Sequence, residues 1–277
     1  MGLRINTNVT SLSAQRVLSN KNQEQSDTLG KLSSGTRIVR ASDDAAGLAI
    51  SEKLRGEIRS VNQANRNAND GISLIQVSEG ALNESSGILI RLRELAMQSS
   101  TDTLGDQERG FVDKEYQNLK LEIQRISQST SFNGKKLLNG EGTAYDFQVG
   151  IHNNNFEDRI TYNAAMTNSS VDALGMAEES VATKEAAQAS LAKTDLALSK
   201  ISGQRAELGA IQNRLVSTSQ NLQVMGENLN AANARIRDTD YAEATAQNTK
   251  LNILTNAGTA VLAQANMQGG NATKLLG

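Results

Sequence analysis

Residues 65–76 read NRNANDGISLIQ, and the fold turns on whether this segment reverses the chain or runs straight through. Asn-Asp-Gly between apolar residues is a strong hairpin signal, because Asn and Gly accept the positive φ values of a tight turn. The surrounding apolar residues do not alternate as strands do. Leu54, Ile58, Val61, Ala68, Ile72, Ile75, Leu82 and Leu89 advance by fours and threes, the spacing that keeps one stripe of a helix facing a partner. The period passes through Asn69, Asp70 and Gly71 without a slip, whereas a turn would break the register. The segment therefore reads as helix. A mid-helix Gly costs about 1 kcal/mol against Ala, and Gly71, Gly80, Gly87, Gly209 and Gly226 have two readings: close approach of another backbone compensates the cost, or the sites are simply unoptimised.

Outward from this segment, the pattern predicts one helix from about Asp43 to Gln98, roughly 80 Å long at 1.5 Å per residue. Ser42, Asp43 and Asp44 read as its cap and acidic first turn, and Gly35 as the stop of a preceding helix. After SSTDTLGDQ (99–107) a second stripe, Val112, Tyr116, Leu119, Ile123 and Ile126, predicts a shorter antiparallel helix. The period then changes to two at Tyr145, Phe147 and Val149 and again at Ile160 and Tyr162, which predicts a small β-hairpin. Helix returns from about Val181, where Leu208, Ile211, Leu215, Leu222, Met225 and Leu229 resume the alternation, and a last stripe runs through Leu251, Leu254, Gly258, Val261 and Ala265.

The fold class expected is mainly α, a long antiparallel coiled-coil rod formed by both chain halves around a small central β-hairpin region. The divisions are an N-terminal inner-core helix (1–42), the first half of the helical rod (43–140), a small β region (141–180), the second half of the rod (181–238) and a C-terminal inner-core helix (239–277). Composition agrees: the 277 residues include no Pro, Trp or Cys and only 3% aromatics. Without Pro nothing interrupts long helices, and without large rings a compact globule lacks its usual anchors.

Catalytic chemistry has no foothold in this sequence. His152 is the single histidine, it sits in the hairpin loop, and no Cys or second His stands ready to share a metal with it. Adjacent carboxylates such as Asp43 and Asp44 are explained by a helix start. No glycine-rich phosphate loop occurs, and Asn-x-Ser/Thr triplets at Asn8, Asn83, Asn168 and Asn271 are what chance provides in a chain this rich in Asn, Ser and Thr. No cofactor or metal is expected, and the protein is not expected to be an enzyme. A net charge of −2 with interleaved basic and acidic residues gives no field for nucleic acid. No stretch approaches the ~20 apolar residues that span a bilayer. The start, MGLRINTNVTS, lacks a secretory signal, so export is expected to need no cleaved leader.

Both terminal stripes lack an obvious internal cover except each other. Such helices are marginal alone and order by finding another molecule. The segments INTNVTSLSAQR (5–16), LSSGTRIVRASDDAAGLAISEKLR (32–55), NRNANDGISLIQVSEGALNE (65–84), RLRELAMQSS (91–100), FNGKKLL (132–138), LGAIQNRL (208–215), NLNAANARIRDTDYA (228–242) and NAGTAVLAQAN (256–266) resemble, in order, the terminal signature blocks of bacterial flagellins. The short middle makes this a compact version of the family pattern, and the final MQGGNATKLLG departs from it.

The resemblance implies a subunit that polymerises head to tail into the flagellar filament, the propeller for swimming. Its inner-core helices would be disordered in the monomer and would line the filament channel. For the inner core it points to Ile5, Val9, Leu12, Leu29, Leu32, Leu251, Leu254 and Val261. It also implies unfolded export, a flagellin chaperone on the C-terminal helix, contact with cap and hook-junction proteins, and a secreted location in the filament, whether bare, sheathed or periplasmic. By the same likeness Arg91, Leu95 and Glu115 match positions that meet the flagellin-sensing Toll-like receptor, with Arg91 and Leu95 four apart on one helix face. The alternatives are a hook-filament junction protein, which shares weaker forms of the terminal blocks, and a non-flagellar coiled-coil adaptor.

Overall fold

The computed structural model describes residues 7–141 and 143–274, with side chains as far as Met267. In chain order the elements are α1 (Val9–Ser34), α2 (Ala45–Ser99), α3 (Asp106–Ser129), β1 (Ser131–Phe132), β2 (Lys135–Lys136), β3 (Ala144–Gln148), β4 (Arg159–Asn163), α4 (Val171–Leu174), α5 (Lys184–Arg237) and α6 (Tyr241–Lys274). The protein is mainly α-helical. Two compact units arise, one from residues 1–56 and 228–277 and the other from 57–227.

In the larger unit the seam of α2 repeats every seven residues. One row is apolar and buried: Val61, Ala68, Ile75, Leu82, Leu89 and Ala96. Its companion row, Ala64, Gly71, Ser78, Ser85, Leu92 and Ser99, is mostly small and is also buried. Small hydroxyls lie safely in such a seam because each finds a carbonyl: Ser78 Oγ donates one turn back to Leu74 O at 3.2 Å, Ser85 Oγ one turn back to Ala81 O at 3.0 Å, and Ser99 Oγ to the distant Val181 O at 2.5 Å. Ile201, Leu208 and Leu215 of α5 and Tyr116 and Ile123 of α3 complete the core.

The segment 65–76 is helical throughout, and its amides have work to do. Asn67 Nδ2 donates to Gln148 O of β3 at 2.9 Å, and Asn65 Oδ1 accepts from Ser219 Oγ of α5 at 2.6 Å. Gly71 leaves room for the Phe147 ring: a Cβ there would lie 3.0 Å from Cδ1. The expected cause of the glycine is thus corrected from a backbone to an aromatic side chain. Gly226 has an ordinary neighbour, Val61 Cγ1 at 3.6 Å from a Cβ position, and Gly80, Gly87 and Gly209 face nothing within 4 Å.

The period-two segments pair as β3 and β4, with Tyr145 opposite Tyr162 and Phe147 opposite Ile160. The Tyr rings stack with centroids 6.1 Å apart. An Asn-Gly hairpin does exist, at Asn133 (φ 49) and Gly134 (φ 77), joining β1 to β2.

The smaller unit is built differently. α1 starts on Asn8, whose side chain accepts from Ser11 N, and stops at Gly35 with φ 68. It lies antiparallel to α6, with Cα atoms within 8 Å along much of the pair, an approach the larger unit's helices do not make along their lengths. Gly258 permits this, since a Cβ there would sit 3.2 Å from Leu18 Cδ1. The α1–α2 link then crosses the α5–α6 link: Thr36 bridges Asp238, Arg37 N donates to Arg237 O at 2.6 Å, and Thr239 N donates to Gly35 O at 3.0 Å.

The expected cap of α2 divides its labour. Asp44 alone caps, Oδ1 accepting from Gly47 N at 2.8 Å, while the Asp43 carboxylate turns back to accept from Val39 N and Arg40 N. Those amide bonds hold the Asp43 carboxyl below its ordinary value, and the Arg237 side chain, 2.6 Å from Oε1, does the same for Glu52.

Two outcomes test this account. Gly71→Val should lower stability by about 1–3 kcal/mol through collision with Phe147, whereas Gly80→Ala should raise it by about 1 kcal/mol; urea midpoints of the monomer give both. Depressed carboxylates stabilise the fold fully above their unfolded pKa, and that contribution is lost as pH falls through the lower folded value. Hydrogen-exchange protection at the Val39 and Arg40 amides should therefore persist through the ordinary carboxylate range, about pH 4, and fade only below it; Asp43→Ala, which removes the acceptor, should bring that loss to neutral pH.

Candidate functional site

No group of three or more His, Asp or Glu able to hold a metal exists among the described residues, and no described helix is long and apolar enough to cross a membrane. His152 is exposed in the β3–β4 loop. The feature that demands explanation is apolar surface.

The pair α1 and α6 covers little of itself. Ile38, Leu251 and Ala265 are the buried apolar residues of the smaller unit among the described residues. Polar contacts fasten the helices instead: Asn8 Nδ2 to Ala265 O at 2.9 Å, Ser11 Oγ to Asn266 Oδ1 at 2.7 Å, and Gln25 Nε2 to Asn252 Oδ1 at 2.6 Å. Of the expected inner-core residues, Leu251 is buried and Leu32 half-buried. Val9 is 60% exposed, Leu12 57%, Val261 60%, and Leu29 and Leu254 are exposed as well. Ile5 lies outside the described residues. Val17, Ile253 and Met267, not singled out from the sequence, belong to the same uncovered set. Their period was visible; which residues the partner helix would shade was not, because that depends on the rotation of α6 about α1.

The second set of expected residues is brought together in part. Arg91 on α2 and Glu115 on α3 meet: Nε and Nη2 lie 3.1 and 2.9 Å from Oε1, while Nη1 donates to Glu94 Oε2 at 2.9 Å. All three side chains remain about half exposed. Leu95 does not share that face. It is buried with Leu92, Ala96 and Tyr116, because four residues turn the helix past a full circle and carry Leu95 over the edge of the core. A partner arriving here would touch the ion pair and not Leu95.

Sequence reasoning missed the groups that shape the α3 end of this surface. The Arg109 guanidinium is buried and closes the C-terminus of α2, with Nε to Ser99 O at 3.0 Å and Nη2 to Thr101 O at 2.7 Å. Lys120, also buried, donates to Ala177 O at 2.9 Å and Glu179 O at 2.7 Å, and burial lowers its pKa. Neither carries a motif, since a lone cation in an amphipathic helix reads as solvated.

Comparison with known proteins accords with this architecture. Residues 5–143 match the bacterial flagellin N-terminal helical region and residues 191–276 the bacterial flagellin C-terminal helical region. A flagellin of Halalkalibacterium halodurans is 45% identical over 265 residues, 95% of this chain and 96% of the relative. The flagellar filament 31.3 kDa core protein of Treponema maltophilum is 43% identical, covering 98% and 99%. Among solved structures, the crystal structure of Bacillus cereus flagellin aligns with a TM-score of 0.51 at 30% identity, covering 57% of this chain and 88% of that one. A putative flagellar hook-associated protein from Vibrio parahaemolyticus shares the fold alone, with a TM-score of 0.58 at 16% identity over 71% of this chain and all of the other. Matched at both ends by the family's two regions and along nearly its whole length by its members, the chain belongs to the bacterial flagellin family.

Proposed function

We infer that this protein is a structural subunit that polymerises with copies of itself into the flagellar filament that drives swimming. The observation that carries the reading is the exposed apolar row on α1 and α6 of a chain whose relatives include a filament core protein. Burying a Val or Leu of this row would supply about 1.5–3 kcal/mol each, and a helical array of identical neighbours covers such rows on every copy at once. Gly80, Gly87 and Gly209, with open space at their Cβ positions, leave the same opportunity on the long helices. The hook-filament junction alternative is disfavoured by 45% and 43% identity to a flagellin and a filament core protein, against 16% to the hook-associated structure. A monomeric coiled-coil adaptor would have no use for uncovered rows at both ends.

The finer expectations follow from this role. The divisions 1–42, 43–140, 141–180, 181–238 and 239–277 are read as inner-core helix, rod half, small β region, rod half and inner-core helix. The inner-core helices order fully on assembly, because among the described residues their mutual contact is held by three polar links and very few buried side chains. An uncovered C-terminal helix also suits a chaperone before export, and cap and hook-junction proteins are the remaining flagellar partners. The location proposed is the filament outside the cytoplasm, bare, sheathed or periplasmic. The role is structural and not catalytic. Recognition by a flagellin-sensing Toll-like receptor would use Arg91 and Glu115 directly, with Leu95 supporting α2 from beneath.

Seeded growth tests the main reading. Val9→Asp and Val261→Asp, at positions already exposed in the single chain, should leave the monomer's urea midpoint unchanged and abolish elongation of filament seeds under the electron microscope. Normal elongation by both variants would defeat it. For the receptor, Arg91→Ala with Glu115→Ala should reduce activation in a reporter-cell assay while leaving the urea midpoint little changed, as expected of a solvent-exposed pair.

A further inference from the structure

The β3–β4 loop, residues 149–158, starts on a buried Val149, is mostly polar from His152 onward and is heavily braced. Asp158 is buried; its carboxylate accepts from His152 N at 3.3 Å and Asn154 N at 2.9 Å, and its carbonyl accepts from Val149 N and Gly150 N. Gly150 is obligatory, because a Cβ would collide with Asp158 Oδ1 at 1.8 Å. Gln148 Nε2 donates to Gly150 O and His152 O, and the Arg159 guanidinium reaches Gln148, Asn153 and Asn155. At the end of this scaffold Phe156 stands 91% exposed, more than any other large apolar residue described. A floppy loop could fold such a ring back onto the protein. A braced one holds it in water, a standing cost that burial against another molecule would recover.

The same unit offers a seat at a different place. Leu121 of α3 is 67% exposed at the mouth of a shallow cleft whose other walls include Gln117, Gln124, Val171 and Ala177. The loop is anchored to α2 at Asn67 and Gly71, whereas Leu121 lies six residues beyond the Arg91–Glu115 contact on an α3 that returns along α2, which leaves on the order of 20–27 Å along the helix. A knob and a cleft well apart on one chain cannot satisfy each other within that chain. Between copies they form a heterologous contact, which repeats without closing and so suits an open fibre.

We propose that Phe156 is an inter-subunit knob that seats in the Leu121 cleft of a second copy of this chain. The contact rests on the filament reading and adds to it a specific pair of surfaces in the larger unit. It also gives the β region in the middle of the chain a part in assembly.

The chain has no cysteine, so introduced thiols are unique. Phe156→Cys should react readily with a maleimide in the monomer and at least an order of magnitude more slowly in seeded filaments. Filaments grown from a mixture of Phe156→Cys and Leu121→Cys chains should give, on mild oxidation, a disulfide-linked dimer absent from filaments of either variant alone. Such a bond forms only when Cα atoms come within about 7 Å. Phe156→Ala should raise the critical concentration for growth several-fold, with Phe156→Leu close to the parent. Filaments that form while the thiol at 156 labels at the monomer rate would overturn the contact and leave the filament reading intact. Protection at 156 without the mixed dimer would overturn the assigned seat. Failure of the unaltered chain to elongate seeds would remove the filament reading and this contact with it.

Discussion

The helix pair α1 and α6 is bound by too little buried apolar surface to account for its own sequence. Small residues along the seam, Ser11 and Ala265 buried and Gly258 beneath Leu18, let the two backbones come within 8 Å. Close approach leaves little room for large side chains in the seam, and apart from the buried Leu251 most of the larger ones are turned outward, Val9, Leu12 and Val261 among them. The consequence is a division of the hydrophobic effect: little of it closes the pair, and most is held for contacts outside the chain. Three amide and hydroxyl links set the register in the meantime, and hydrogen bonds of this kind contribute only about 1 kcal/mol each once their exchange with water is counted.

The larger unit reverses that arrangement. Its seam carries one wholly apolar row with Ile75, Leu82 and Leu89 at its centre, keeps its helices farther apart, and encloses Tyr116, Tyr162, Leu89 and Leu92 almost completely. Its polar groups are placed where backbone ends need them. Arg109 closes the end of α2, Asp113 accepts from Ser180 Oγ and Val181 N ahead of α5, and Lys120 gathers the carbonyls of Ala177 and Glu179. Such buried cations tolerate no casual replacement, because removing one leaves several carbonyls without donors. One unit is thus complete by itself, and the other is complete only in company.

Periodicity was enough to read the helices and the β3–β4 hairpin, since both patterns record which side chains face a core. The register through Asn69, Asp70 and Gly71 decided the central question correctly against a local turn signal, because a dozen flanking residues outweigh three. What stayed hidden was pairing at a distance. Nothing in the sequence says that Phe147, seventy-six positions away, fills the space over Gly71, or that Asp43 serves the preceding turn while Asp44 serves the helix. The short β1–β2 hairpin and α4 were likewise too brief to establish a period. Leu95 shows the finest limit: spacing placed it beside Arg91, and only the position of α3 reveals that the edge of the core runs between them.

The same distinction explains why glycines in one helix have opposite meanings. Gly71 answers to a neighbour inside the chain, so enlarging it should cost stability in the monomer. Gly80 and Gly87 answer to none, although each weakens helix α2 by about 1 kcal/mol relative to Ala. A monomer selected for stability alone would replace them readily. In a fibre the relevant quantity is the free energy of a subunit among its neighbours, and a glycine that is a defect in isolation becomes a place where another helix can lie close. Excess glycine on an exposed helical face, in a chain that also carries apolar rows that nothing covers, is the signature of a chain whose native environment includes other copies of itself.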